Sequence, residues 1–274
     1  MSGYDDLGEG LAVSIDDGVA TITIDSPPIN LFTVGLFLST ASLAERLAVD
    51  PEVRVVVMRS ANPEFFIAHF DVAAILTFPV DAPEATELNA YHRMCESFRT
   101  MPKATIALIE GRVGGGGSEL ALSFDMRFAS PSAVFNQPEV ALGILPGGSG
   151  TVRLPRLIGR SRALEVILGC GDIDALTAER WGWVNRVLPD DQLGPFVDRL
   201  ARRIAGFPPH AVAAAKACVI RVDGDLEDDL LAEGNAFNAT LGGDGTADAL
   251  RRFLALGGQT REGELRLGDL AGDL

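Results

Sequence analysis

The sequence predicts an α/β protein with a mixed sheet, and three observations carry that prediction. Apolar runs of strand length alternate with segments of helical periodicity through roughly the first two thirds of the chain. The strand signal stops near residue 196. Beyond it lie four helix-like segments, 196–206, 209–221, 225–241 and 245–256, parted by Pro208-Pro209, Asp223-Gly224 and Gly242-Gly243. The expected division is a core over 1–195 and a helical region over 196–274.

Residues 11–25 read as a β-hairpin, with a turn at Asp16-Asp17-Gly18 and a stop at Ser26-Pro27-Pro28, because proline cannot continue a strand ladder. Residues 35–48 carry Leu36, Leu38, Leu43 and Leu47 at helical spacing. Val53 to Met58 is a strand of the buried type, Ile75-Leu76 falls in a short helical stretch, and 86–99 is helical again. Ala104 to Ile109 is a further apolar strand, ended by Glu110-Gly111. Met126 to Ala129 and a helix near 161–169 continue the alternation. From Arg261 onward the chain is polar and interrupted by glycine, which predicts a tail or a partner-binding extension.

Composition narrows the function classes. A chain of 274 residues can bury one large core, and 47% hydrophobic with 22% charged residues is ordinary for a soluble globular protein. No apolar run is long enough to span a bilayer, and the opening Met1 to Asp6 is acidic, unlike a secretion signal. Cys95, Cys170 and Cys218 show no paired spacing, so neither a disulfide frame nor a zinc site is expected; buried thiols in a reducing cytoplasm are. A net charge of −15 argues against nucleic acid and anionic membranes as partners. It also requires that any anionic ligand be held by local donors.

Two glutamates stand out. Glu119 closes Gly114-Gly115-Gly116-Gly117-Ser118-Glu119, and Glu139 lies in Phe135-Asn136-Gln137-Pro138-Glu139, shortly before Leu145-Pro146-Gly147-Gly148. The glycines precede an expected helix start, where backbone N–H groups lack partners and a ligand can approach closely. An acid–base pair beside free N–H donors suits chemistry next to a carbonyl. Taken singly, each feature has a plainer explanation. The glycines could only relieve a tight turn, and Glu119 in the first helical turn could only complement the helix dipole, worth about 0.5 kcal/mol. Glu139 could be a solvated turn residue. In Ala68-His69-Phe70-Asp71, Asp71 is a candidate helix N-cap and His69 an ordinary loop histidine. No nucleotide-binding glycine pattern fits.

In this order, these segments resemble the enoyl-CoA hydratase/isomerase (crotonase) superfamily, and the resemblance covers nearly the whole chain. Ile22 to Asn30 resembles the family's opening strand and turn, Ile106 to Leu122 its glycine-rich block ending in Glu-Leu, Phe135 to Leu154 its Gln-Pro-Glu…Pro-Gly-Gly block, and Leu168 to Pro189 the lead into its helical end. The resemblance implies a spiral of ββα turns and a C-terminal helical trimerisation region, giving a homotrimer or a dimer of trimers. It makes Glu119 and Glu139 the catalytic pair and assigns the oxyanion-hole N–H groups to Phe70 and Gly116. It places Ala68, His69, Asp71, Gly115, Pro146 and Gly147 at the substrate. The implied reaction adds water to a 2-enoyl thioester with no metal or redox cofactor, coenzyme A or phosphopantetheine entering only as part of the substrate.

The family usually has Ala-Gly-Ala-Asp where this chain has Ala68-His69-Phe70-Asp71, and many relatives have a basic residue where Val72-Ala73-Ala74 stand. An acyl-carrier protein is therefore an alternative presenter of the acyl group, with Arg251 and Arg252 as candidate substitutes for the lost charge. Double-bond isomerisation, C–C cleavage or decarboxylation through the same enolate, and a non-catalytic thioester-binding oligomer, are the rival readings.

Overall fold

The structure, a computed structural model, describes Tyr4, Leu7, Gly8 and residues 10–274; the acidic opening Met1 to Asp6 lies, apart from Tyr4, outside the described residues. The expected hairpin is present as β1 (Leu11–Asp16) and β2 (Val19–Ile24), paired antiparallel. Its two-residue loop puts Asp17 and Gly18 at positive φ (47° and 79°), the conformation that an Asp-Gly hairpin loop favours. Helix α1 (Val34–Val49) follows, with the Thr33 side chain accepting from the Leu36 N–H.

A three-part unit then repeats. Strand β3 (Val55–Ser60) is followed by short β4 (Phe65–Ile67) and by α2 (Val72–Ile75) and α3 (Ala90–Thr100). Strand β5 (Ala104–Ile109) is followed by β6 (Arg112–Gly114) and α4 (Gly115–Leu122). Strand β7 (Met126–Ala129) is followed by β8 (Val134–Asn136), a 3₁₀ turn (Glu139–Leu142), and α5 (Gly150–Ile158) with α6 (Arg160–Gly169). The chain closes its core with β9 (Ile173–Asp174), α7 (Ala175–Trp181) and β10 (Arg186–Val187).

First strands of each unit pair in a six-stranded sheet ordered β1-β2-β3-β5-β7-β10, and second strands in a four-stranded sheet ordered β4-β6-β8-β9. Within them β2 to β10 run parallel, as do β4, β6 and β8. The result is the expected ββα spiral. Every residue of β5 is buried, which explains its unbroken apolar run: a central parallel strand is covered on both faces.

The helical end comprises α8 (Asp190–Ala205), α9 (Pro209–Ile220), α10 (Glu227–Leu241), α11 (Thr246–Ala255), α12 (Arg261–Glu264) and α13 (Leu267–Gly272). Helix α8 begins before residue 196, taking Pro195 into its interior, and lays Leu193, Val197 and Ala201 against Val55, Val57, Ile106 and Leu108 of the six-stranded sheet. Two expectations need correction. The segment after Arg261 is not a loose tail: Leu267 and Leu270 join Val72, Ile75, Leu142, Ile144 and Phe253 in one buried cluster. Its few leucines sufficed because α2, α11 and the 3₁₀ turn offer them an apolar wall. Of the three cysteines, Cys95 and Cys170 are buried, but Cys218 is exposed on α9, a helix with no buried residue. Among the described residues, no helix is long and apolar enough to cross a membrane.

Candidate active site

The site grows from two neighbouring strand ends. Past β4, Phe70 forms a single parallel bridge to Phe32, in which the Phe32 N–H donates to the His69 carbonyl (2.9 Å) and the Asp71 N–H donates to the Phe32 carbonyl (3.1 Å). A bridge of this kind spends the amides on either side of Phe70 and turns its own N–H away. Among the described residues that N–H has no hydrogen-bond acceptor. Past β6, α4 begins directly with the glycines, so Gly116 is its second residue and its N–H belongs to the first turn that finds no partner within a helix. A methyl built on Gly116 would lie 3.5 Å from the Phe70 nitrogen and 3.1 Å from its Cβ. Glycine leaves this approach unstrained, where a side chain would press on the Phe70 Cβ and the Tyr91 hydroxyl.

Because α4 starts at Gly115, Glu119 sits in its second turn rather than its first, three residues on from Gly116 and on the same face. The helix-dipole explanation loses its footing there. The Glu119 carboxylate is 3% exposed, and its Oε1 accepts from the N–H groups of Gly148 and Gly150, each at 2.8 Å. Burial, followed by repulsion from Glu139 and Glu233, pushes its pKa well above the ordinary carboxylate value, against the pull of those two amides. Glu139 opens the 3₁₀ turn, and a methyl on Gly115 would come 2.8 Å from its Oε1. Its Oε2 is buried with no partner among the described residues. Burial raises this pKa to about 7, although its own backbone amide and the charge of His69 act in the other direction. The two carboxyls influence each other, so they titrate as a pair.

Both glutamates line one cavity of about 260 Å³, together with His69, Phe70, Gly116 and Gly147. Its remaining wall is largely apolar, including Phe37, Ile75, Phe78, Leu142, Ile144 and Phe237. The other expected substrate residues lie behind that lining. Ala68 packs with Ile29 and Phe65; Asp71 caps α2 by accepting from the Ala73 N–H (2.9 Å); Gly115 backs the Glu139 carboxyl; and Pro146 packs beside Gly150. Arg251 pairs with Asp248 (3.0 Å) and Arg252 donates to the Asp273 carbonyl (2.7 Å), so both engage local acceptors.

His69 is not an ordinary loop histidine. It is buried, with Nδ1 2.7 Å from the Phe70 carbonyl and Nε2 3.0 Å from Glu264 Oε1. Three further residues escaped sequence reasoning. The Tyr91 hydroxyl donates to the Gly116 carbonyl (2.6 Å), while its ring stacks on Phe37 with centroids 5.5 Å apart. His92 and Glu233 form a buried pair, Nε2 to Oε1 3.1 Å. Each of the three looks like an ordinary helix residue in the sequence; their pairing depends on helices 141 residues apart for His92 and Glu233.

Fold and site together define a crotonase-type protein, and comparison with known proteins agrees. The family model described as enoyl-CoA hydratase/isomerase matches residues 14–254. The chain is 34% identical over 240 residues to a probable enoyl-CoA hydratase of Mycobacterium leprae, covering 86% of this chain and 91% of that one. It is 30% identical over 249 residues to a crotonyl-CoA hydratase of Syntrophomonas wolfei, covering 90% and 95%. A crystal structure of an enoyl-CoA hydratase from Mycobacterium avium superposes with a TM-score of 0.80 at 26% identity, covering 89% and 98%. The chain belongs to the enoyl-CoA hydratase/isomerase family.

Proposed function

We propose that this protein hydrates a 2-enoyl thioester to the 3-hydroxyacyl thioester. The observation that carries the reading is the pair of buried carboxyls, Glu119 and Glu139, lining one cavity beside the unpartnered Phe70 and Gly116 amides. In this reading the two N–H groups receive the thioester oxygen and gain strength as it becomes an enolate, each worth about 3 kcal/mol in the transition state. The pair holds one proton. Burial gives Glu119 the higher proton affinity, which suits a base, and its two amide donors make the reactive arrangement with the charge on Glu119 accessible. In that arrangement Glu119 takes a proton from water as the oxygen attacks Cβ, while the proton on Glu139, whose Oε2 has no partner among the described residues, passes to Cα. Return of the proton from Glu119 to Glu139 completes the cycle. No metal or redox partner enters this balance.

The apolar wall suits a hydrocarbon acyl chain carried on coenzyme A or a phosphopantetheine arm. Helix α9 supports self-association through the 196–274 region, as a trimer or a dimer of trimers: its run of alanines with Val212, Val219 and Ile220 has no buried member. Light scattering that gives the mass of one chain removes the oligomer. A cytoplasmic location fits thiols left unpaired at Cys95, Cys170 and Cys218.

The test is mass spectrometry of enoyl thioesters, on coenzyme A and on carrier protein, with wild type, Glu119→Gln and Glu139→Gln. Gain of one water that both substitutions abolish is the expected result. An isomerase would keep its activity in Glu119→Gln. Absence of water gain on every substrate sinks the hydratase reading and leaves other enolate chemistry or a silent thioester-binding oligomer.

A further inference from the structure

The turn that holds Glu119 is itself held from the other side. Five consecutive residues, 148–152, lead into α5, and their N–H groups are divided between two carboxylates. Gly148 and Gly150 donate to Glu119 Oε1. Ser149 donates to Glu233 Oε1 (2.5 Å), while Thr151 (2.8 Å) and Val152 (3.2 Å) donate to Glu233 Oε2, which the Thr151 hydroxyl also reaches. Glu233 projects from α10 and its Oε1 is further fixed by His92 Nε2 from α3. Its side chain is 1% exposed. A carboxylate with this many donors is pinned, and so is the peptide segment between the two acids.

We propose that Glu233 is a positioning residue for the hydration step, fixing the 148–152 turn so that the Glu119 carboxylate presents its free oxygen to the cavity. The proposal rests on the hydratase reading above. Two observations support it, one of geometry and one of charge. A methyl on Gly148 would lie 2.6 Å from Glu119 Oε2, so a small displacement of this turn changes where that oxygen can sit. Glu233 is also, after burial and Glu139, the next cause of the raised Glu119 pKa. The groups that face Glu119 are Glu139 from the 3₁₀ turn, Glu233 from α10, and Tyr91 and Cys95 from α3. Those that face Glu233 are Glu119 from α4, Glu139 from the 3₁₀ turn, His92 from α3 and the N–H groups at the start of α5. Farther along α5, Arg153 is occupied by Ser149 and Glu96.

The sign of the effect follows. The pair must have lost one proton before Glu119 can take the water proton, so the acid limb of the kcat profile reports the first ionisation of the Glu119–Glu139 pair. The negative charge of Glu233 raises the proton affinity of both carboxyls, so removing it moves the acid limb to lower pH.

The experiment measures kcat and KM against pH for wild type, Glu233→Gln and Glu233→Asp, with the melting temperature of each. Expected for Glu233→Gln are a kcat lower by about 10–100-fold with KM little changed, the size of loss that misplacing a reacting group produces, and an acid limb lower by about one unit. Glu233→Asp keeps the charge on a shorter arm, so its acid limb stays where wild type has it while kcat recovers in part. A folded Glu233→Gln variant with its acid limb unmoved, or a Glu233→Asp variant that shifts as far, overturns the proposal and leaves Glu233 as a helix cap. Carbon-13 NMR titration of carboxyl-labelled glutamates, with the Glu119 signal assigned by its loss in Glu119→Gln, reads the same shift without turnover. If wild type hydrates nothing, the hydratase reading fails, and the titration still decides whether Glu233 raises the Glu119 pKa.

Discussion

At the scale of single residues, His69 and Glu264 form a buried ion pair beside the Phe70 carbonyl. Both ring nitrogens meet an oxygen acceptor, the Phe70 carbonyl and the Glu264 carboxylate, and satisfying both requires the doubly protonated imidazolium. Burial alone would lower its pKa; the charge and hydrogen bond of Glu264, with the Phe70 carbonyl, outweigh burial and raise it to about 9. A group whose pKa is higher in the folded state than its ordinary 6.5 contributes stability that is complete below 6.5 and is lost as pH rises through 9. Glu264→Gln should therefore cost about 3–5 kcal/mol near pH 6, the usual penalty for breaking a buried pair. The gap to wild type should shrink between pH 6.5 and 9. Chemical denaturation across that range checks this, and a gap that stays constant would show that the charge on His69 is not what Glu264 stabilises.

At the scale of elements, α4 shows how a poor helix former serves a site. Gly115, Gly116 and Gly117 each lower helix propensity by about 1 kcal/mol relative to alanine, yet they lie at the N-terminus where the protein brings β4 and Phe70 alongside. Gly116→Ala would add a methyl 3.0 Å from the Tyr91 hydroxyl and 3.1 Å from the Phe70 Cβ. The substitution keeps the backbone N–H and acts only by moving it, so the expected outcome is a kcat lower by up to about 10², the size of loss that misplacing a reacting group produces, with a melting temperature nearly unchanged because alanine regains helix propensity. Steady-state kinetics beside a thermal melt checks both; an unimpaired kcat would show that the methyl is accommodated without moving the proposed donor. Elements with long apolar runs or clear periodicity were readable in the sequence, such as Ala104 to Ile109 and the helix over 35–48. Strands β6 and β8 were not, because three residues carry no period. Glu119 and Glu139 stood out from their glycine- and proline-marked segments, whereas the roles proposed for Phe70 and Gly116 came only from the resemblance to the crotonase superfamily. Tyr91, Glu233 and Glu264 were not legible, since their roles arise only when distant helices meet.

At the scale of the whole molecule, the net charge of −15 acts on substrate capture. Coenzyme A thioesters carry phosphate charge, so encounter is opposed by a field that salt screens over a Debye length of about 8–10 Å at physiological ionic strength. For a coenzyme A substrate, kcat/KM should rise as salt is added, while an uncharged pantetheine thioester should show no such rise. A coenzyme A rate that falls steeply with salt would instead point to a basic docking patch.

The contact between His69 and Glu264 also has a meaning in time. The two residues are 195 positions apart, and synthesis at about 5–20 residues per second separates them by roughly 10–40 s. For that interval a nascent chain can hold most of its spiral, yet the loop bearing the Phe70 amide still lacks its carboxylate partner and its covering leucines. The candidate pocket is thus among the last parts of the molecule to receive all of its residues as the chain is made, well after those of the sheets that support it.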